Sequence, residues 1–259
     1  MPSVFDPNTI VGFSTTAARR FQHYPLSTIH CPLSTAHYLL VLDRTIAIGD
    51  IHGYRRSLSA LLDAIDPRAN DTIVTLGDYV DRGPNSRGVI DRLILLKGQC
   101  RLVPLLGNHD EMMLNICRGK TELMGNWLVF GGDSTLASYG KVPEGVPWEH
   151  IEFLESCRDW YETDEHFLAH GNYYSNLPLD SQPWELLRWE SLHERQPFAH
   201  RSGKTAIIGH TAQKNGQVLD LGYLKCIDTW VYGDGRLTAL ELDSGRIWQA
   251  DKGGKVSGR

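Results

Sequence analysis

The sequence predicts a layered α/β domain with a parallel first half and an antiparallel end. Three observations carry that expectation. Short apolar strand-like runs alternate with amphipathic helical runs from residue 44 onward. The first three of those strands each end in glycine followed at once by a polar cluster. The last three strand-like runs are joined by turns alone, too short to hold crossover helices.

Residues 45–49 form a short buried strand type, and 54–65 carry apolar residues at 54, 58, 61, 62 and 65, a helical stripe stopped by Pro67. Residues 72–77 are again strand. Residues 86–97 are a helix with Val89, Ile90, Leu93 and Ile94 on one face, and Gly98 follows as its C-cap. Strand 101–107 and helix 109–118 complete the alternation. Residues 119–164 are helical in tendency but broken by Gly131-Gly132, Tyr139-Gly140 and the prolines at 143 and 147, and are read as a helical insert over the site. Strands are expected at 166–169, 205–209, 224–228, 237–242 and 246–249, the last three as an antiparallel meander.

The organisation expected is an extension at 1–43, a domain at 44–252 and a flexible tail at 253–259. The first forty residues hold one acid, Asp6, and no period of 2 or 3.6. Few acids with arginine and serine is a transit-peptide bias, but no apolar core or small-residue cleavage site accompanies it. A disordered or loosely docked extension is the expectation.

Composition narrows the function classes. The 259 residues are 41% hydrophobic and 22% charged, an ordinary globular balance. A formal net charge of −5 gives no positive field for nucleic acid or anionic lipid, and no apolar run reaches a membrane span. Five scattered cysteines without a C-x-x-C pair fit reduced thiols, so a cytoplasmic monomer is expected.

The chemistry gathers at strand ends. Gly49-Asp50-Ile51-His52-Gly53, Gly77-Asp78-Tyr79-Val80-Asp81-Arg82-Gly83 and Gly107-Asn108-His109-Asp110 follow the first three strands; His170-Gly171 and Gly209-His210-Thr211 follow two later ones. In open α/β sheets ligands bind beyond the carboxyl ends of strands, so five such clusters point into one crevice. Carboxylate, imidazole and amide without sulfur suit Mn, Fe, Zn or Ni. Alone, each block reads as a turn or a helix cap. Together the first three fix thirteen residues, each type on the order of 5–7% of an average chain, and unrelated turns do not account for them.

In that order, Gly-Asp-x-His-Gly, Gly-Asp-x-x-Asp-Arg-Gly and Gly-Asn-His-Asp resemble the signature of the calcineurin-like metallophosphoesterases, in particular the bacterial-type phosphoprotein serine/threonine phosphatases. The resemblance runs from about residue 45 to 249 and implies a β-sandwich of mixed sheets flanked by helices around a two-metal centre. It implies Asp50 and His52 as ligands of the first metal, Asp78 as the bridge, and Asn108, His170 and His210 as ligands of the second. His109 and Asp81 match the acid pair, and Arg82, with Asn108, the phosphate contacts. A second phosphate arginine falls on Arg188 or, as the alternative, Arg195.

The chemistry is coherent with those roles. Two cations about 3.5–4 Å apart bring the pKa of a shared water near neutrality and clamp phosphoryl oxygens. Against Asp50, Asp78 and one hydroxide they leave about +1 before Arg82 and Arg188, so local charge overrides the net charge. His109 would protonate the leaving alkoxide, and Asp81 would keep it charged despite the helix N-terminus.

Other features read as structural. Ser202-Gly203-Lys204-Thr205 echoes a phosphate loop, but Phe198 stands where a glycine is needed. Trp127, Trp160, Trp184 and Trp189 are expected to pack, and Gly131–Leu136 to start a helix. The expected activity is phosphomonoester hydrolysis on phosphoserine or phosphothreonine proteins, or on small phosphoesters, with two divalent ions, manganese foremost. A symmetrical diadenosine tetraphosphate hydrolase is the alternative, and a non-catalytic scaffold the third reading.

Overall fold

The computed structural model describes residues 43–258; the expected extension lies, but for its last residue, outside the described residues. The alternation read from residue 44 onward is present: β1 (Thr45–Ile48), α1 (Arg55–Ile65), β2 (Thr72–Thr75), α2 (Ser86–Leu96), β3 (Arg101–Pro104) and α3 (Asn108–Cys117). Leu58, Leu61, Leu62 and Ile65 form the buried stripe of α1, and Asp66 ends it in the left-handed region. The Asn85 side chain caps α2 by accepting from the Gly88 N–H at 2.8 Å. The insert holds α4 (Met124–Trp127), a π-type turn over Leu128–Gly132, α5 (Asp133–Ser138) and α6 (Trp148–Glu155).

Beyond it come β4 (Trp160–Glu162), β5 (His166–Ala169), α7 (Trp184–Trp189), β6 (Thr205–Ile208), β7 (Leu219–Asp220), β8 (Leu224–Cys226), β9 (Leu237–Glu241), β10 (Ile247–Ala250) and β11 (Val256–Gly258). They make two mixed sheets, β11-β10-β9-β1-β2-β3 and β4-β5-β6-β8-β7. Strands β1–β3 are mutually parallel, as are β5, β6 and β8.

Side-chain alternation explains the sandwich. Ala47, Val74 and Leu240 of the first sheet meet Leu168 and Ile207 of the second in one buried cluster. Their neighbours Ile46, Ile48, Ile73 and Ala239 face the other way, into a core with α1, α2, α3 and α6. Phe167, Ala206 and Ile208 cover the outer face of the second sheet with Tyr173 and Leu179. A period of two with both faces buried therefore builds three layers of core from the same strands.

Three expectations change. The last three strand-like runs do not form one meander, because β8 pairs with β6 and β7 while β9 pairs with β1 and β10. The connection between them crosses from sheet to sheet through a turn closed by Thr229 and Arg236, whose backbone N–H donates to Thr229 O at 3.1 Å. Trp160–Glu162, counted with the helical insert, is an edge strand paired antiparallel to β5. The stretch read as a flexible tail contains β11, which pairs with β10 while Val256 packs against the main core. Three residues including serine and glycine carry too little pattern for a strand to be read from sequence.

Candidate active site

Both sheets send strand ends to one place. Asp50 follows β1, Asp78 follows β2, Asn108 opens α3 after β3, His170 follows β5 and His210 follows β6. Asp228, just beyond β8, is a sixth strand-end residue of this kind, buried and missed in the sequence reading although its strand was expected to end there. The same rule of polar residues at strand ends would have found it.

The backbone here is unusual. Among the described residues eight non-glycine residues have positive φ, and five of them are His52, Asp78, Asp81, Arg82 and His210. Left-handed backbone at such residues costs on the order of 1 kcal/mol or more and clusters at functional sites. Two glycines make room: a Cβ on Gly107 would lie 2.2 Å from Asp78 Oδ1, and one on Gly209 would lie 2.2 Å from Asp50 Oδ1.

Three imidazoles are oriented by backbone carbonyls. His52 Nδ1 donates to Val80 O at 3.0 Å, His170 Nδ1 to Leu76 O at 2.7 Å and His210 Nε2 to Trp189 O at 2.8 Å. A carbonyl only accepts, so the bonded nitrogen carries the proton. Burial pushes the pKa of all three rings down, His210 to about 4, so the opposite nitrogen of each presents a lone pair. Holding one ring N–H on a carbonyl is how metal-ligating histidines are fixed.

Asp78 stands between them. Its Oδ2 lies 3.4 Å from His52 Nε2 and its Oδ1 3.4 Å from His170 Nε2. Donor atoms of His52, Asp78 and His109 form one group able to hold a metal ion, and those of Asp78, His170 and His210 a second, with Asp78 common to both. The carbonyl oxygen of Asn108 faces His170 Nε2 at 3.1 Å. Two lone-pair atoms at that distance are accommodated by a cation between them. The donors therefore fit divalent ions, and their type is the hard-to-borderline set that excludes copper(I) and iron–sulfur clusters.

Electrostatics point the same way. Burial, with Asp228 and Asp78 close by, pushes Asp50 well above the usual carboxylate range. Asp228 is raised to about 7, mainly by burial and further by Asp78. Burial would raise Asp78 too, but Coulombic attraction to His170, His109, His52 and His210 in their protonated forms would outweigh it and hold it low. Three buried carboxylates close enough to influence one another's charge require positive charge nearby.

Part of that charge is Arg82. Its Nη1 donates to His52 Nε2 at 3.0 Å and its Nη2 to His109 Nε2 at 2.9 Å, with the guanidinium 4.0 Å over the Tyr232 ring. Tyr232 also stands edge-on to His52, with centroids 4.9 Å apart, and no sequence motif singled it out.

His109 and Asp81 form the second constellation. His109 Nδ1 lies 2.7 Å from Asp81 Oδ2, and both side chains are buried. The Asp81 carboxylate also accepts from Trp127 Nε1 at 3.0 Å and from Thr135 Oγ1 at 2.8 Å. Burial raises its pKa and the bond to His109 pulls it back. Trp127, expected to pack, does so at 1% exposure and also donates to Asp81. The insert thus reaches the site through Trp127, Thr135 and Gly131, whose carbonyl accepts from the Arg82 N–H at 3.2 Å.

The two late arginines pair with carboxylates. Arg188 is held by Asp159 (2.6 Å) and Glu111 (3.3 Å), and Arg195 by Glu190 (2.6 Å) and the Tyr173 carbonyl (3.1 Å). Glu111 also accepts from Trp189 Nε1 at 2.9 Å, so the Arg188 network fixes the helix whose last carbonyl holds His210.

With this geometry in view, comparison with known proteins gives one family. Residues 44–234 match the calcineurin-like phosphoesterases, and the chain belongs to that family of phosphoester hydrolases, which act through a dinuclear metal centre. A symmetrical bis(5'-nucleosyl)-tetraphosphatase of Dechloromonas aromatica is 43% identical over 129 residues, 49% of this chain and 43% of that protein, so the match spans under half of that relative. Serine/threonine-protein phosphatase 1 of Salmonella typhimurium is 27% identical over 211 residues, 75% of this chain and 90% of that one. A crystal structure of a candidate diadenosine tetraphosphatase superposes with a TM-score of 0.63 at 24% identity, covering 82% of this chain and 94% of that chain, and shares the fold. Among the described residues no helix is long and apolar enough to cross a membrane.

Proposed function

We propose that this phosphoesterase is a phosphomonoesterase acting on phosphoserine and phosphothreonine in proteins. Asp50, His52 and Asp78 would hold one divalent ion, and Asp78, Asn108, His170 and His210 the other, with manganese the ion we would add first. Bound there, the ions would supply a nucleophile from water at neutral pH and positive charge against the phosphoryl oxygens.

The protein's own residues do the rest. Arg82 leaves the imidazoles for the substrate, since a phosphate offers its guanidinium a charge-assisted bidentate partner that a neutral ring nitrogen does not. That movement frees His52 Nε2 to ligate and His109 Nε2 to carry a proton. Asp81, anchored by Trp127 and Thr135, orients the His109 ring and stabilises its charged form. Asn108 serves both the ion and a phosphoryl oxygen. A second phosphate contact would fall to Arg188 or, as the alternative, Arg195, either of which would have to leave the carboxylate it now pairs with.

The observation that carries the substrate class is the His109–Asp81 pair at 2.7 Å. A serine or threonine alkoxide has a very high pKa and leaves only when protonated. A nucleotide leaving from a phosphoanhydride is a stable anion near neutral pH and needs no such acid. A buried acid pair anchored by Trp127 and Thr135 is therefore support for an alkyl phosphate, and so is the Salmonella relative aligned over 90% of its length. The rival substrate, diadenosine tetraphosphate, is supported by the name of the Dechloromonas relative.

Assay with Mn²⁺ on a phosphothreonine peptide and on diadenosine tetraphosphate tests the reading. The proposal expects the peptide to be preferred; a nucleotide advantage of about 100-fold, roughly 2.7 kcal/mol in barrier, would reverse it.

A further inference from the structure

Beside the site lies a cavity of about 550 Å³ whose walls include Gly53, Tyr54, Arg55, Arg56, Pro84 and Lys252. It shares its wall with the active site. Gly53 follows the candidate ligand His52, Pro84 stands two residues after Arg82, and Lys252 Nζ donates at 3.2 Å to the carbonyl of Tyr232, whose ring carries Arg82.

Three cations line this cavity and no carboxylate does. Arg55 and Arg56 are exposed and form no ion pair among the described residues. They are the first two residues of α1, where the helix dipole opposes positive charge, and the first turn of that helix holds no acid to offset them. Lys252, also exposed, brings its ammonium 5.5 Å over the Tyr54 ring, adding a third charge beside them. On a chain of net charge −5, three like charges gathered in a concavity at an opposed helix end make a local positive patch suited to an anion.

We infer that this cavity is a specificity subsite for a second negatively charged group of the substrate: an acidic side chain near the phosphorylated serine or threonine. The inference rests on the phosphoprotein reading above. Lining the wall that leads from His52 and Arg82, the subsite would select acidic phosphosites.

The test compares two phosphothreonine peptides that differ only in flanking residues, aspartate and glutamate against alanine, with p-nitrophenyl phosphate as the reference. Wild-type protein should prefer the acidic peptide by about tenfold in kcat/KM, the size expected of a few exposed ion pairs. Arg55→Glu/Arg56→Glu should abolish most of that preference while leaving p-nitrophenyl phosphate turnover within about twofold. Added salt should erode the wild-type preference, a reading that needs no variant. Equal turnover of both peptides by wild type, or a preference untouched by the double variant and by salt, overturns the subsite with the phosphatase reading intact. Turnover of p-nitrophenyl phosphate with neither peptide hydrolysed overturns the phosphoprotein reading and the subsite together.

Discussion

The backbone N–H of His210 donates to both carboxylate oxygens of Asp50, at 3.0 and 3.2 Å, across 160 positions of sequence. Asp50 ends the strand region of one sheet and His210 that of the other, so this contact pins the two halves of the site together. It exists because residue 209 is glycine: a Cβ there would lie 2.2 Å from Asp50 Oδ1.

Gly209→Ala should therefore damage the site through sterics alone. Pushing Asp50 aside costs the fold about 1–3 kcal/mol, the usual range for overpacking, and loosens Mn²⁺ binding. Denaturant melts and a Mn²⁺ titration measure both; unchanged stability with unchanged metal affinity would show that the contact holds nothing in place.

His109→Asn tests the acid role by leaving group. Turnover of an alkyl phosphate should fall by about 10²–10⁴-fold, the span of general acid–base contributions. p-Nitrophenyl phosphate, whose leaving anion needs no proton, should lose far less. Equal losses on the two substrates would remove His109 from that role.

Trp127→Phe keeps the packing of a fully buried ring and deletes one N–H donated to Asp81. We expect a loss of about 1–2 kcal/mol in stability, because Asp81 loses a buried partner. The alkyl-to-aryl rate ratio should fall in the same direction as for His109→Asn, though less. A stability loss with no change in that ratio would make Trp127 a packing residue only.

How much of this was legible beforehand follows from which residues carry local signals. Asp50, Asp78, Asn108, His170 and His210 stand directly after apolar strand runs, and glycine marks the sharp turns, so their convergence could be read one strand at a time. Asp228 obeyed the same rule but lacked a glycine beside it. Trp127, Thr135 and Tyr232 act through contacts made by the insert and a late loop, and nothing in their own neighbourhoods encodes what they touch. The ion pairs of Arg188 are with Asp159 and Glu111, which come from distant segments, so its type suggested a phosphate contact but not these partners. The sheet change between β8 and β9 was hidden for a similar reason, since apolar runs joined by a turn look alike whether they pair or cross.

Away from the site, Arg44 and Asp71 give a pH-dependent contribution to stability. Burial would raise the Asp71 pKa, but hydrogen bonds from Arg44 (2.5 and 3.1 Å) and the Arg68 N–H (2.8 Å) outweigh it and hold it below the ordinary 3.8. A carboxylate lowered in the folded state contributes stability that is present above its unfolded pKa and is lost as pH falls through the folded value. Arg44→Gln should therefore be less stable than wild type near neutral pH by about 1–3 kcal/mol. The gap should close as pH drops below about 4. A gap independent of pH would mean that Arg44 stabilises by packing rather than by charge.

The central claim is that Asp78 is one carboxylate serving two ions, and metal counting addresses it most directly. Calorimetric titration of metal-free protein with Mn²⁺, checked by elemental analysis after desalting, should give two ions per chain. Asp78→Asn, which keeps the shape but removes the negative charge and one of the two ligating oxygens, should weaken both sites and abolish turnover. A single ion per chain in the wild type, or two ions held undiminished by Asp78→Asn, would contradict it.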